Sequence, residues 1–376
     1  MDNMLKEIAG QNNAKESLEK IYSSSKIPHA FLFTGPEGVG KHYTAVKFIE
    51  LLNSSRQAGK SDSPISTRIR NLSEPYVKFV IPLPRGKNES SENSPTEKLS
   101  NETLVQLKEE LEKKSVNPYY KINLPGANNI KINSIRDVKK FLSLNYDEVK
   151  YRAVLISEAH LMNDEAQNAL LKSLEEPPQG IIFILCTSNK SDLLPTIISR
   201  CWNVGFEPLS DSQIAGILVK HFGIDQTTAD KVSHFSNGSV TRALDFIQHD
   251  FDSLIEKAIS ILRNAMALKF HTAHKEISQF TAGNSNESLN LLIQIILTWL
   301  DDSQRNKTGL NNYIFSNYSD TLDKFNARFN TVNVHEIMFR LSRLSSAMEN
   351  NLNLNVIALN IIFELASIRY IGLKSA

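Results

Sequence analysis

The eight residues Gly35-Pro36-Glu37-Gly38-Val39-Gly40-Lys41-His42 constrain this chain more than any other stretch, because they spell a phosphate-binding loop up to its last position. The pattern G-x-x-x-x-G-K-[ST] is met through Lys41, and a histidine then stands where a hydroxyl belongs. In such a loop the glycines let backbone N–H groups close around phosphates, the lysine neutralises the terminal ones, and the Ser/Thr oxygen ligates magnesium. His42 offers nitrogen, whereas magnesium takes hard oxygen ligands in tight octahedral geometry. The expectation is a loop in which Gly35, Gly38, Gly40, Lys41 and His42 hold ATP or ADP, with magnesium poorly served and hydrolysis disfavoured.

The flanks support a true loop. His29-Ala30-Phe31-Leu32-Phe33-Thr34 is an apolar run that reads as a short buried strand, and Tyr43 to Leu52 places apolar residues at helical spacing. Strand, glycine loop, helix is the order required, since a helix N-terminus turns its partial positive charge toward the phosphates.

A loop of this kind works with a second strand that ends in an aspartate ordering magnesium, followed by a glutamate that polarises water. Here Ala153-Val154-Leu155-Ile156 runs into Ser157-Glu158-Ala159-His160, so serine replaces the aspartate while Glu158 keeps the base position. Two independent losses in one metal site point to a retired ATPase. Next comes a helix from Asn163 that ends at Pro177-Pro178, then a strand stopping at Cys186-Thr187-Ser188-Asn189, where Thr187 and Ser188 are placed to sense a phosphate.

Along roughly the first 205 residues apolar runs alternate with helical patterns, which argues for a parallel sheet covered by helices. The candidate strands are Phe31–Phe33, Val77–Ile81, Ala153–Ile156 and Ile181–Leu185. Residues Arg85 to Lys98 are polar and low in complexity, so a mobile surface insertion is expected there. In the next helix Leu104, Leu107 and Leu111 share a face among Lys and Glu residues, the pattern of a solvated helix packed by one edge. From Pro208 to His249 short helical patterns broken by Gly223 and Gly238 suggest a helical lid. From Asp250 onward there are long helices, such as Leu289–Leu300, Val334–Met348 and Val356–Ile368, separated by turns such as Asn350-Asn351.

At 376 residues the chain has room for two or three domains, and a formal charge of +1 gives no global pull toward nucleic acid or anionic lipid. The N-terminus carries acidic residues and no long apolar core, no apolar run approaches membrane-spanning length, and a cytoplasmic protein without membrane contact is expected. Cys186 and Cys201 are too few for a four-thiolate zinc site and read as small apolar residues near strand ends. No metal site is expected.

The run from His160 to Cys201 resembles the clamp-loader branch of the AAA+ ATPases, and within it the delta-prime subunits of bacterial DNA polymerase III. The resemblance rests on Gly10-Gln11, His29 to Phe33, Asn168-Ala169-Leu170-Leu171-Lys172-Ser173-Leu174-Glu175-Glu176-Pro177-Pro178, Ser199-Arg200-Cys201 and Gly238 to Leu244. It implies an AAA+ α/β P-loop domain over residues 1–207, a helical lid over 208–249 and an all-α collar over 250–376. Relatives often carry a four-cysteine zinc module between the nucleotide motifs, and this chain has the polar insertion there instead.

The resemblance further implies a ring of five related subunits that places a sliding clamp on primed DNA. Arg200 would reach the ATP of a neighbouring subunit, and Arg242 would face this subunit's own pocket. The partners implied are delta and gamma/tau-like subunits, the clamp, and DNA contacted through the assembly. A surface salt bridge is the plainer role for Arg200, and a structural one for Arg242. An active clamp-loader ATPase, a small-molecule P-loop kinase and a helical adaptor with a vestigial loop stay open as alternatives.

Overall fold

A computed structural model of the chain describes residues 3–24, 26–54, 64–144, 148–248, 251–281, 286–310, 314–315, 318–347 and 353–374. The chain divides into two compact units, one of residues 1–229 with 237–241, the other of 230–236 with 242–376. The expected boundary at His249–Asp250 and the turn at Asn350-Asn351 lie outside the described residues.

The first unit is a five-stranded parallel sheet. Its strands are β1 (Ala30–Thr34), β2 (Val77–Val80), β3 (Arg152–Ile156), β4 (Ile181–Thr187) and β5 (Trp202–Gly205), in the order β2-β3-β4-β1-β5. Around it lie α1 (Asn12–Ser24), α2 (Lys41–Asn53), α3 (Pro64–Arg70), α4 (Asn101–Val116), α5 (Ile132–Leu142), α6 (Asp164–Glu175), α7 (Pro195–Arg200), α8 (Asp211–Phe222) and the start of α9 (Gln226–Ser233). The central strands read as unbroken apolar runs because both faces of the sheet are covered, and β3 and β4 are buried along their whole length. On one face Leu32, Val154, Phe183 and Leu185 pack with Ile135 and Val138 of α5 and Leu170 and Leu174 of α6. On the other, Phe48 of α2 meets Phe31 edge to face, 5.2 Å between ring centroids.

Four strands match the apolar runs of the sequence, with β4 extending through Cys186 to Thr187. The fifth does not. In Trp202-Asn203-Val204-Gly205 only Val204 is buried, so this edge strand offers no apolar run to read. In register, Thr34 lies opposite Thr187 on one side and Gly205 on the other. The carboxyl ends of β1, β3 and β4 therefore converge on one edge, where ligands bind in open parallel sheets.

The polar stretch from Arg85 to Lys98 is not the loose insertion that its composition suggests. The Glu89 side chain is only 5% exposed, accepting from the Gly86 N–H at 2.7 Å and pairing with Lys131 at 2.7 Å and Asn133 at 2.5 Å, both at the start of α5. Its polar side chains are spent on an internal framework. After it, Leu107 and Leu111 of α4 pack on Ile81, Leu83 and Leu124 as the shared face predicts, while Leu104 is exposed.

The second unit is helical, from the end of α9 and most of α10 (Val240–Gln248) through α11 (Phe251–Met266), α12 (Phe270–Thr281), α13 (Asn286–Lys307), α14 (Ser319–Arg328), α15 (Val334–Ala347) and α16 (Leu354–Lys374). Phe235, Phe246, Phe251 and Phe315 form a cluster of edge-to-face rings. One sequence expectation fails here: Leu354–Ile371 of α16 is long and apolar enough to cross a membrane by length and composition. That helix nonetheless carries Glu364, which pairs with Arg340 of α15 at 2.6 Å, and it packs against α11, α12 and α15.

Candidate nucleotide-binding site

The loop between β1 and α2 is held from outside by Gln11, whose amide donates to the carbonyls of Val39 (3.2 Å) and Glu207 (2.7 Å) and accepts from the Glu207 N–H at 3.0 Å. Gly40 caps α2 with φ 93°, a left-handed conformation that favours glycine, and no side chain caps the helix. A Cβ at Gly40 would come within 3.2 Å of the Tyr119 ring. The opposite flank of the loop is met by residues 239–241, with the Val240 N–H donating to the Gly38 carbonyl at 3.1 Å.

Lys41 is buried and its ammonium turns back on its own loop, donating to the carbonyls of Gly35 (2.6 Å) and Pro36 (2.5 Å). Burial lowers its pKa, opposed by the nearby Glu158, Cys186 and Glu37. The uncapped helix start and this lysine fit a phosphate group. The residues do not fit a magnesium ion. The His42 ring packs on Phe79, 5.2 Å between centroids, and its Nδ1 is buried without a partner. Burial first, and the charge of Lys114 second, hold this imidazole well below its ordinary pKa, so it stands neutral against an apolar wall rather than offering a hard oxygen. Directly after β3, Ser157 stands where the family of loops places a carboxylate.

Glu158 adopts a left-handed conformation (φ 51°) just after β3 and is part exposed. It comes together with Thr187 and Ser188 through His160, a residue that no sequence motif singles out. His160 Nδ1 lies 3.2 Å from the Thr187 hydroxyl, and its Nε2 lies 3.4 Å from Ser188 and 3.7 Å from Glu158. The Thr187 oxygen is also 2.9 Å from the Asn189 carbonyl, so the protein itself uses this hydroxyl.

The contribution of α4 and the turn after it is equally absent from the sequence motifs. Lys121 pairs with Glu37 of the loop at 2.6 Å, Asn117 donates to the His221 carbonyl at 3.2 Å, and Tyr119 stacks near Tyr43 and His221 at 5.4 and 5.5 Å. Lys114 is buried, donating to the carbonyls of Pro118 (2.9 Å) and Tyr120 (2.6 Å). Desolvation pushes its pKa down to about 8, opposed by Cys186, Glu158 and Glu37. The Cys186 thiol in β4 is pushed up to about 12, chiefly by burial.

Arg200 sits at the end of α7, with its side chain about one-third exposed. It donates to Glu175 Oε1 at 2.7 Å and to the Thr196 carbonyl at 3.1 Å. The surface salt bridge that is the plainer role for this residue is therefore present within the chain. Arg242 is an exposed residue of α10 and belongs to the second unit. Among the described residues no group of three or more His, Cys, Asp or Glu side chains is placed to hold a metal.

A parallel sheet with a phosphate loop after its first strand, joined to helical segments, defines an AAA+ P-loop protein. The family model described as DNA polymerase III, delta subunit matches residues 10–210, and the chain belongs to that family, in the clamp-loader branch. It is 27% identical over 288 residues to DNA polymerase III subunit tau of Bacillus subtilis, covering 76% of this chain and 43% of that one. It is 28% identical over 250 residues to DNA polymerase III subunit gamma of Buchnera aphidicola, covering 65% and 57%. The chain thus spans about half the length of these relatives. A solved structure of a DNA polymerase III gamma subunit-related protein from Thermotoga maritima is similar over 96% of this chain and 100% of that one, with 17% identity and a TM-score of 0.46.

Proposed function

We propose that this chain is a delta-prime-like subunit of the bacterial clamp loader, deficient in hydrolysis, that lends Arg200 to the ATP of a neighbouring subunit while the assembly places a sliding clamp on primed DNA. The observation that carries this reading is the asymmetry between two sites. The loop keeps its glycines and Lys41 but has a neutral, buried imidazole at its metal position, whereas Arg200 stays at an accessible edge with a guanidinium suited to phosphate. DNA and the clamp are met through the assembly, in the cytoplasm, and the partners are delta and gamma/tau-like subunits.

Support for a collar role comes from α16, where Val356, Leu359, Phe363 and Tyr370 are all exposed at spacings of three, four and seven. Such a stripe suits packing against helices of partner subunits. The division into a 1–207 domain, a 208–249 lid and a 250–376 collar, and a pocket-facing role for Arg242, belong to the same proposal. The test is the assembled complex carrying Arg200→Ala: the subunit should still incorporate while DNA-stimulated ATP hydrolysis falls sharply, and unchanged turnover would remove Arg200 from this role.

A second reading, an active motor subunit, draws on the similarity to chains named tau and gamma. It requires the isolated protein to hydrolyse ATP with magnesium and to lose that activity in Lys41→Ala. We expect neither.

A further inference from the structure

The β2 edge of the sheet is open. β2 is an end strand in the order β2-β3-β4-β1-β5, and it pairs with β3 alone, Val77 opposite Ala153. The carbonyls of Tyr76 and Val80 accept from the N–H groups of Ala153 and Ser157, so the even-numbered residues turn their backbone toward β3. Val77 and Phe79 turn theirs outward. The Val77 N–H is taken by the Ser73 carbonyl at 3.1 Å, whereas the N–H and C=O of Phe79 meet no partner among the described residues.

A cleft of about 270 Å³ lies along this edge. Residues 77–81 all line it, and neighbours in a strand point to opposite faces, so a cleft lined by five in succession follows the edge rather than one face. Leu107 and Leu111 of α4 give it an apolar wall, and α5 contributes Ser134 and Asp137. Ser134 is 4% exposed, and its Oγ has no hydrogen-bond partner among the described residues. A buried hydroxyl left in that state is costly and rare. The charged groups of the lining are Lys78, Glu74 and Asp137, with the ammonium shared between the carboxylates at 2.6 and 2.5 Å, which leaves one net negative charge.

We propose that the β2 edge and its cleft receive an extended segment of a partner protein. The segment adds a strand to the sheet through the N–H and C=O of Phe79, lays an apolar side chain against Leu107 and Leu111, and sets a Lys or Arg beside Glu74 and Asp137. Strand addition draws affinity from main-chain bonds and selectivity from pockets for alternate side chains, and both parts are present here. The cleft is smaller than the roughly 300–1,000 Å³ of small-molecule sites, so it suits one side chain of a larger molecule rather than a whole cofactor. The Ser134 hydroxyl then gains a partner from the segment. Neither nucleotide binding nor the role of Arg200 enters this inference.

The test is binding of a fluorescein-labelled peptide, Lys-Leu-Thr-Leu-Thr-Leu, to the full chain by fluorescence polarisation. Saturable binding at submillimolar concentration is expected. Methylating alternate backbone nitrogens of the peptide, or replacing its Lys by Glu, should weaken binding at least about tenfold. Thr96→Trp, which narrows the cleft, and Leu107→Lys, which charges its wall, should each do the same. On the unaltered chain, hydrogen exchange at the Phe79 amide should slow at least about tenfold when the peptide is added, a readout that needs no variant to fold. No saturable binding at millimolar peptide, or exchange at Phe79 unchanged in its presence, would overturn the proposal. So would an N-methylated peptide that binds as tightly as its parent, since the cleft would then hold a side chain without strand pairing. A concentration-dependent dimer of the chain that Leu107→Lys abolishes would assign the edge to a second copy, and would overturn the partner assignment.

Discussion

The two cationic regions of the first unit are built on opposite principles. Lys41 of the phosphate loop and Lys114 of α4 are buried and rest on carbonyl dipoles, with no ion pair among the described residues. At the end of α7, Arg200 is about one-third exposed and paired with a carboxylate that is itself about half exposed. The first arrangement costs stability and is fixed. The second is nearly neutral in energy, because exposed ion pairs gain little, and so Arg200 is free to exchange Glu175 for a stronger anion. A cation buried on carbonyls is held in one place by the fold, whereas an exposed, weakly paired one can change partners.

The comparison breaks most visibly at Arg200. In the assembled complex Arg200→Ala should cut hydrolysis at least about tenfold, since arginine fingers contribute on the order of 10³ or more at the site they serve. Arg200→Lys should not rescue it, because an ammonium lacks the planar fork that holds two phosphate oxygens at once. Rescue by lysine would reduce the role of Arg200 to general electrostatics.

A smaller effect, of unusual sign, is expected from Lys114. With its pKa lowered from 10.5 to about 8 by burial, the folded state releases this proton above about pH 8 while the unfolded chain keeps it to about pH 10.5. The unfolded state then binds more protons, so stability from this group rises with pH across that window. Lys114→Met should be more stable than the unaltered chain at pH 7, by on the order of 2 kcal/mol, and should lose that pH-dependent rise. Cys186, with its thiol pushed up to about 12, works in the opposite direction over part of the same range, so the difference between the two unfolding curves is the quantity to follow. A destabilised Lys114→Met would mean that the carbonyl bonds of Lys114, not its charge, are what the fold values.

How these regions divide also explains what the sequence reveals. The loop, its flanking strand and helix, and the central strands are legible because a doubly covered parallel sheet needs apolar runs, and β1, β3 and β4 supply them. Edge strand β5 is hidden because only Val204 faces the core. Lys114 is hidden for a different reason. It lies on a helix of alternating Lys and Glu that reads as solvated, yet Glu110, one turn before it, is also buried, accepting from Tyr120 Oη at 2.9 Å and the Asn123 N–H at 2.7 Å. A charged residue drawn inward by the turn that follows leaves no mark in helical periodicity. The framework around Glu89 escapes notice in the same way, since its partners Lys131 and Asn133 lie some forty residues further on.

The smallest expected effect concerns Glu175. If the Arg200–Glu175 pair is only a resting place for the guanidinium, Glu175→Gln should change the stability of the isolated chain by less than about 1 kcal/mol in chemical unfolding, the usual worth of an exposed pair. It should also leave assembly hydrolysis at or slightly above its original rate, because Arg200 then has one fewer competitor for the neighbouring phosphate. A fall in hydrolysis comparable to that of Arg200→Ala would reverse the interpretation. Glu175 would then be the residue that aims the guanidinium, and the exposed region would be held to a single geometry just as firmly as the buried one.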